Sequence, residues 1–286
     1  MNRDEKLLQG FLDRNLPSLP QDFDEGIGIA FERLSFNRIL WKTIANDVDN
    51  VLEAPADGLM GVSGASGVLF ARNGANVTVA SPSRKLLDYS ARFWNKLGLK
   101  RKAKFDALQP PLTHLPYEDH SFDLVFNYCL FEHFHNAPDL LTEMARVSRK
   151  YVLVANQNAW NIGYFIHRFY HAANGQAWDH GYFEWMRPGG LLRAFKQAGL
   201  EIVDSGFFDT CPWFDTFDMH TRGKIKFLFG RQQAKAWVWD ALPAGNEALL
   251  ARRHPMDQLL AFEAALPRAL KYLLSHHFYV IGRKRP

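Results

Sequence analysis

Apolar residues along this chain follow two rhythms. Short apolar runs alternate with longer stretches in which apolar residues return every three or four positions. The first rhythm suits buried strands and the second amphipathic helices. Val51-Leu52-Glu53 is a short run closed by an acid. A segment punctuated by Gly58, Gly61, Gly64 and Gly67 follows, then Val68-Leu69-Phe70-Ala71-Arg72 as the body of a short helix. Asn73-Gly74 ends that helix, and Val77-Thr78-Val79-Ala80 is a second run, stopped by Ser81-Pro82. Strand, glycine-rich turn, helix and strand make a βαβ unit. Its glycines permit positive φ and a close approach of backbone to ligand. The first helical turn leaves N–H groups for an anion or a polar ligand. The unit predicts a parallel sheet with a ligand at the carboxyl ends of its strands.

The same reading extends in both directions. Residues 1–20 read as a short helix and a proline-bounded link. Residues 27–46 read as a helix with apolar positions at Ile29, Phe31, Leu34, Phe36, Ile39, Leu40 and Ile44, a brace or lid on the sheet. Leu86–Leu97 is the next helix, with Gly98 as its C-cap. Residues 99–105 form a weak third strand. Phe122–Asn127 is a buried strand, a helix starts at Asn136-Ala137-Pro138, and Tyr151–Ala155 is another buried strand. Ile162–Tyr170 and Leu191–Ala198 read as helices, and Glu201-Ile202-Val203 begins a strand. Residues 207–270, with helices expected near 228–239 and 257–273, are too long for a connection and read as an inserted cap. Phe278–Gly282 is a terminal strand. The expected organisation is a helical brace over 1–46, a core over 47–206, a helical cap over 207–274 and a closing strand over 275–286.

Composition narrows the function only a little. The chain has 286 residues, 47% hydrophobic and 22% charged, an ordinary globular balance. The aromatic share is high, with 23 Phe and 8 Trp, which suits an apolar pocket or a packed cap. A net charge of +4 without a basic stripe does not point to nucleic acid. Two distant cysteines, Cys129 and Cys211, give neither a disulfide framework nor a zinc signature. With a charged N-terminal stretch and no apolar run long enough for a bilayer, the expectation is a cytoplasmic protein off the membrane.

Three stretches carry a resemblance. They are Phe122–Asn127, then Leu130-Phe131-Glu132-His133-Phe134, then Leu140-Leu141-Thr142-Glu143-Met144-Ala145-Arg146-Val147. Together they resemble the class I, Rossmann-like S-adenosylmethionine-dependent methyltransferases over roughly residues 50–205 and the last strand. The resemblance implies an α/β fold with a mostly parallel seven-stranded sheet, helices on both faces and an antiparallel last strand. It also implies that 201–206 and 277–283 form a closing hairpin. S-adenosylmethionine is the implied cofactor and methyl transfer to a small molecule the implied activity. Glu53 matches the acid that closes the first strand, and Asp106-Ala107 the place where an acid meets the adenine amino group. The sequence departs from the family pattern twice. Pro55, Asp57 and Leu59 stand where the loop glycines are expected, with Gly58 between them. The second strand ends in Ser81 rather than an acid. The implied cofactor-binding set is Glu53, Pro55, Asp57, Gly58, Ser81, Asp106, Ala107 and Asn127.

The remaining chemistry clusters after the fourth and fifth strands. Asn127, Tyr128 and His133 are candidate catalytic residues, His133 as a general base because imidazole takes a proton near neutral pH. Its competing reading is a surface or capping histidine. Asn156, Asn158, His167, His171, Trp178, His180 and Trp213 are candidate pocket residues. His167 and His171 share one helix face, and with Asp179 and His180 they could hold a metal. A polar lining to an aromatic pocket is preferred, and no metal is assigned. A small-molecule substrate is expected, without nucleic acid or membrane, and a homodimer or a partner subunit is left open. Two rival readings compete with methyl transfer. One is a methyltransferase-like scaffold that has lost catalysis. The other is a nicotinamide oxidoreductase, disfavoured because the G-x-G-x-x-G fingerprint is absent.

Overall fold

The computed structural model describes residues 23, 26–56, 61–175, 178, 180–210 and 257–284. The helices expected over 1–20 and 228–239, and most of the expected cap, lie outside the described residues. So do the candidate residues Asp57, Gly58, Asp179 and Trp213.

The elements, in chain order, begin with helix α1 (Gly26–Thr43) and strand β1 (Asn50–Glu53). A 3-10 turn (Ala65–Gly67) leads into α2 (Val68–Arg72). Next come β2 (Asn76–Ser81), α3 (Arg84–Lys96), β3 (Ala103–Ala107) and β4 (Phe122–Tyr128). After a 3-10 turn (Phe131–His133), α4 (Ala137–Val147), β5 (Ser148–Gln157), α5 (Ile162–Ala173), α6 (Pro188–Gln197) and β6 (Glu201–Phe208) follow. The chain then returns through α7 (Asp257–Ala265), α8 (Arg268–Leu274) and β7 (His277–Arg283).

The seven strands form one sheet in the order β3-β2-β1-β4-β5-β7-β6. The pairings β1–β2, β1–β4, β2–β3 and β4–β5 are parallel. β7 runs antiparallel between β5 and β6. This is the sheet the resemblance implies.

Strand alternation sorts the core into two layers. Val51, Leu124, Phe126 and Leu153 pack under α1, α2 and α3. Leu52, Val125, Val152 and Val154 pack against α4 and α6 on the other face. Each such side chain, fully buried, contributes about 1.5–3 kcal/mol. α1 is buried over most of its length: Phe31, Leu34, Phe36 and Leu40 enter the core, and Glu32, Arg33 and Ser35 are buried with them. The brace expected from its pattern is therefore built into the sheet face.

Local chemistry sets the element ends. Ser83 caps α3 by accepting a hydrogen bond from the Leu86 N–H at 3.3 Å, a contact worth about 1 kcal/mol. Pro188 opens α6 one turn earlier than the apolar pattern predicts, as a first-turn proline can. The helix expected over 257–273 is two helices, because Pro267 cannot continue α7 and instead precedes α8. β6 runs to Phe208, two residues past the expected end of the core at 206. Among the described residues no helix is long and apolar enough to cross a membrane.

The β3–β4 connection is fixed by α4. Arg146 donates to the carbonyls of Leu115 and Tyr117, each at 2.9 Å, and to both carboxyl oxygens of Glu143 at 2.8 Å. Glu143 in turn accepts the Leu115 N–H at 3.0 Å. The Arg146 hydrogen bonds, followed by the Leu115 amide, outweigh partial burial and hold the Glu143 carboxyl at about 2. Its folded pKa lies below the unfolded value of about 4.3. The stability it contributes is thus fully present above that value and is lost as pH falls toward about 2. Glu143→Gln is expected to cost about 2 kcal/mol at pH 7. Urea unfolding measures this, and the gap to wild type should close as the pH is lowered from 5.

Candidate active site

Parallel strands bring the ends of β1, β2, β3, β4 and β5 to one rim. Glu53 ends β1 and is buried, and one carboxyl oxygen, Oε2, has no hydrogen-bond partner in the structure. Burial pushes its carboxyl up to about 7, against the pull of the Arg33 guanidinium and a hydrogen bond from the Gly64 N–H. Arg33 also donates to Ser66 Oγ at 2.9 Å and to the Val62 carbonyl at 3.1 Å, pinning the loop over Glu53. Ser63 in the same loop has a buried hydroxyl without a partner.

The loop glycines serve two purposes. Gly64 adopts φ +75°, in the left-handed region. A Cβ on Gly67 would sit 2.7 Å from Val77 Cγ1, so only glycine lets the loop lie against β2. Trp94 of α3 donates from its ring to the Gly64 carbonyl at 3.2 Å and closes the far side.

Ser81 ends β2 fully buried, and its hydroxyl accepts the Ser83 N–H at 3.1 Å. Ala107, one strand over, pairs with it. Asp106 on β3 is partly exposed. Tyr117 Oη donates to its Oδ2 at 3.1 Å, and Lys104 Nζ reaches the same oxygen at 2.9 Å. Burial and Asp106 together push the Tyr117 hydroxyl up.

Asn127, at the end of β4, is buried and has both ends engaged. Its amide donates to the carbonyls of Ala54 at 3.3 Å and Pro55 at 2.9 Å. Its carbonyl accepts the N–H groups of Phe131 at 2.7 Å and Leu130 at 3.3 Å. Asn127 thus latches the end of β1 to the turn after β4. Within that turn His133 is half-buried and Glu132 fully buried. Glu132 Oε1 accepts the Gln157 N–H at 3.2 Å, Oε2 has no partner, and burial pushes the carboxyl up to about 7.

Tyr128 turns to the other face, where its hydroxyl donates to Glu32 of α1. This opens onto a buried polar group that sequence reasoning missed. Donor atoms of Glu32, Asp209 and His277 lie within 4.8 Å of one another. His276 Nδ1 meets Asp209 Oδ2 at 3.0 Å, and His277 Nδ1 lies 3.5 Å from the same oxygen. Burial raises the Glu32 carboxyl. It pushes Asp209 the same way, but the two histidines outweigh it and hold that acid down. The available signal was the adjacent pair His276-His277 opening the last strand, with Asp209 just past β6. Only the β6–β7 pairing brings them together.

Of the candidate pocket residues, Asn158 is a buried brace. It donates to the carbonyls of Tyr272 at 2.9 Å and Ser275 at 3.0 Å, and accepts the Trp160 N–H at 3.1 Å. Asn156 donates to the Trp185 carbonyl at 2.9 Å, while its buried Oδ1 has no partner. His167, His171 and His180 come together beside Trp178, with ring centroids 4.8–5.9 Å from its own.

The unpartnered oxygens Glu53 Oε2 and Ser63 Oγ, and the partly exposed Asp106, fit a ligand carrying hydroxyl and amino donors. That is the chemistry of S-adenosylmethionine. Residues 60–154 match a family model described as a methyltransferase domain. No curated protein matches the chain. Among solved structures, the [4+2]-cyclase SpnF is 16% identical, over 98% of this chain and 93% of its own, at TM-score 0.55. A candidate methyltransferase in complex with the Haloferax volcanii Trm112 methyltransferase activator is 12% identical, over 99% of this chain and 97% of its own, at TM-score 0.51. The MccD protein is 15% identical, over 88% and 96%, at TM-score 0.51. These likenesses concern the fold. Residues 60–154 thus carry a methyltransferase domain, and the strand order is that of the Rossmann-like methyltransferase fold.

Proposed function

We propose that the chain transfers the methyl group of S-adenosylmethionine to a small-molecule acceptor. The observation that carries this reading is the buried carboxyl of Glu53, with one oxygen unpartnered at the end of β1. An uncompensated buried acid is costly, and a ligand donor at that place would relieve the cost. When bound, the cofactor supplies a methyl group on a positively charged sulfur. Glu53 would accept from its hydroxyl or amino groups, and Asp106 from the adenine amino group. Asn127 acts as a positioning residue, because its latch fixes the β1 end relative to the β4 turn. Ser81 offers no charge to a ribose.

On the acceptor side the groups able to hold a proton are buried: Glu132, Glu32 and His277. An acceptor must enter among the strand ends to reach them, which suits a small molecule better than a broad surface. Glu132, at about 7, is half ionised near neutrality and matches a general base. His133, half-buried on the same turn, is the other candidate. Alignment and exclusion of water supply the rest of the rate. The reading of a scaffold without catalysis has one observation in its favour, the serine at the end of β2 whose hydroxyl is already engaged.

Calorimetry with S-adenosylmethionine and S-adenosylhomocysteine tests the cofactor site. Micromolar binding is expected, weakened about 10–100-fold in Glu53→Ala and Asp106→Ala. Failure of the folded wild type to bind either ligand would overturn the reading for the isolated chain.

A second expectation concerns pH. In the ligand-free protein the ionised form of Glu53 is the costly one. Its contribution therefore turns unfavourable as pH rises from about 4.3 through about 7. A ligand donor reverses that preference. Affinity should rise about tenfold between pH 5.5 and pH 7.5, with proton release, and Glu53→Gln should flatten the profile. An unchanged slope in that variant would assign the titration to another group.

A further inference from the structure

The cluster of His167, His171 and His180 lies outside the groups assigned to methyl transfer. His167 Nε2 is 3.1 Å from His180 Nε2, which is 3.3 Å from His171 Nε2. One donor nitrogen from each ring lies within 4.8 Å of the others. We propose that these three histidines form a mononuclear site for a divalent transition metal of the zinc type.

The spacing fits. A zinc–nitrogen bond is about 2.0–2.1 Å, and tetrahedral ligands at that distance stand about 3.3–3.4 Å apart. The chemistry fits as well. A neutral ring nitrogen carries either one proton or one lone pair. His180 Nε2 therefore cannot make a good hydrogen bond to both neighbours. A cation placed among three lone pairs satisfies all of them at once. Borderline metals such as Zn²⁺ and Co²⁺ favour imidazole, whereas Mg²⁺ and Ca²⁺ favour oxygen. Three protein ligands leave a fourth position for water or an anionic oxygen.

The backbone presents the ligands. His167 and His171 are four residues apart on α5 and share a face. His180 comes from the following loop, which is fixed to the β4 rim. The Tyr182 N–H donates to the Glu132 carbonyl at 2.7 Å. Gly181 has φ +98°, and a Cβ there would sit 2.7 Å from Glu132 Cγ, so only glycine lets the loop press this close. Trp178 packs beside the rings and donates from its own ring to the Gly181 carbonyl at 3.2 Å. A bound metal would tie α5 to the turn that carries Glu132. The second set of converging donors, Glu32, Asp209 and His277, is a weaker candidate. The Tyr128 hydroxyl already donates to Glu32, and His276 already pairs with Asp209.

The test uses the full chain, free of any affinity tag and stripped by chelator. It is titrated with Co²⁺ and followed by visible absorption, with metal content read by mass spectrometry. The expected result is one equivalent bound with the intense bands of a tetrahedral ion, displaced by Zn²⁺. His171→Gln and His180→Gln should each weaken binding about 100-fold or more, since losing a merely supporting group costs about 10–100-fold. Circular dichroism and S-adenosylhomocysteine affinity of the variants, measured alongside, show whether the fold survives. No stoichiometric Co²⁺ in the wild type, or unchanged wild-type affinity in both variants, would overturn the site. Neither outcome bears on the cofactor reading, which has its own ligand test.

Discussion

The working rim of this molecule depends on one buried amide. Parallel pairing brings the strand ends level, but it does not fix the loops that leave them. Asn127 does, because its four contacts join the β1 exit at Ala54 and Pro55 to the β4 exit at Leu130 and Phe131. Every donor and acceptor of that side chain is engaged across a strand pair. An aspartate at the same place could not donate to two carbonyls, and an alanine would orphan four backbone groups. Glu53 on one side and Glu132 on the other keep their relative places through this amide.

Around that latch the fold holds acids where water cannot reach them. Glu53 and Glu132 are buried carboxyls raised to about 7, each with one oxygen left without a partner. Their contrast is Glu143, whose oxygens are taken by Arg146 and the Leu115 amide and whose carboxyl sits at about 2. The two kinds of acid have opposite consequences. The satisfied one stabilises the β3–β4 connection above the ordinary carboxylate range. The unsatisfied ones oppose folding as the pH approaches neutrality. Structure alone does not require unsatisfied acids, and their place beside the strand ends is what supports the proposed cofactor site there.

Legibility in the sequence followed the range of the interactions. Phe122–Asn127 and Tyr151–Ala155 were readable as buried strands because both faces of each are covered. The antiparallel place of β7 came from the resemblance, since periodicity says nothing about strand order. The glycines were visible, but their reasons were not. Gly67 is required by Val77, ten residues on, through a contact that exists only once α2 lies against β2. Asp209 and His277 carry no local signal for the same reason. They are 68 residues apart, and their meeting depends on the β6–β7 pairing. The pair His167 and His171 was legible because helical spacing is local. His180 was legible beside them as a near neighbour in sequence, but the way it reaches them was not, because it rests on a loop shaped by Gly181 against Glu132.

The same loop links the two halves of the chemistry. Glu132 accepts the Gln157 N–H at the end of β5 through its carboxylate and the Tyr182 N–H through its carbonyl. Any shift of the 180–182 loop therefore acts on the turn that carries Glu132. Gly181 leaves no slack in that contact, since a Cβ there would sit 2.7 Å from Glu132 Cγ. A metal held by the histidine cluster, as proposed, would also fix the surroundings of the Glu132 carboxyl. The cluster and the turn that carries Glu132 meet across one glycine-sized gap.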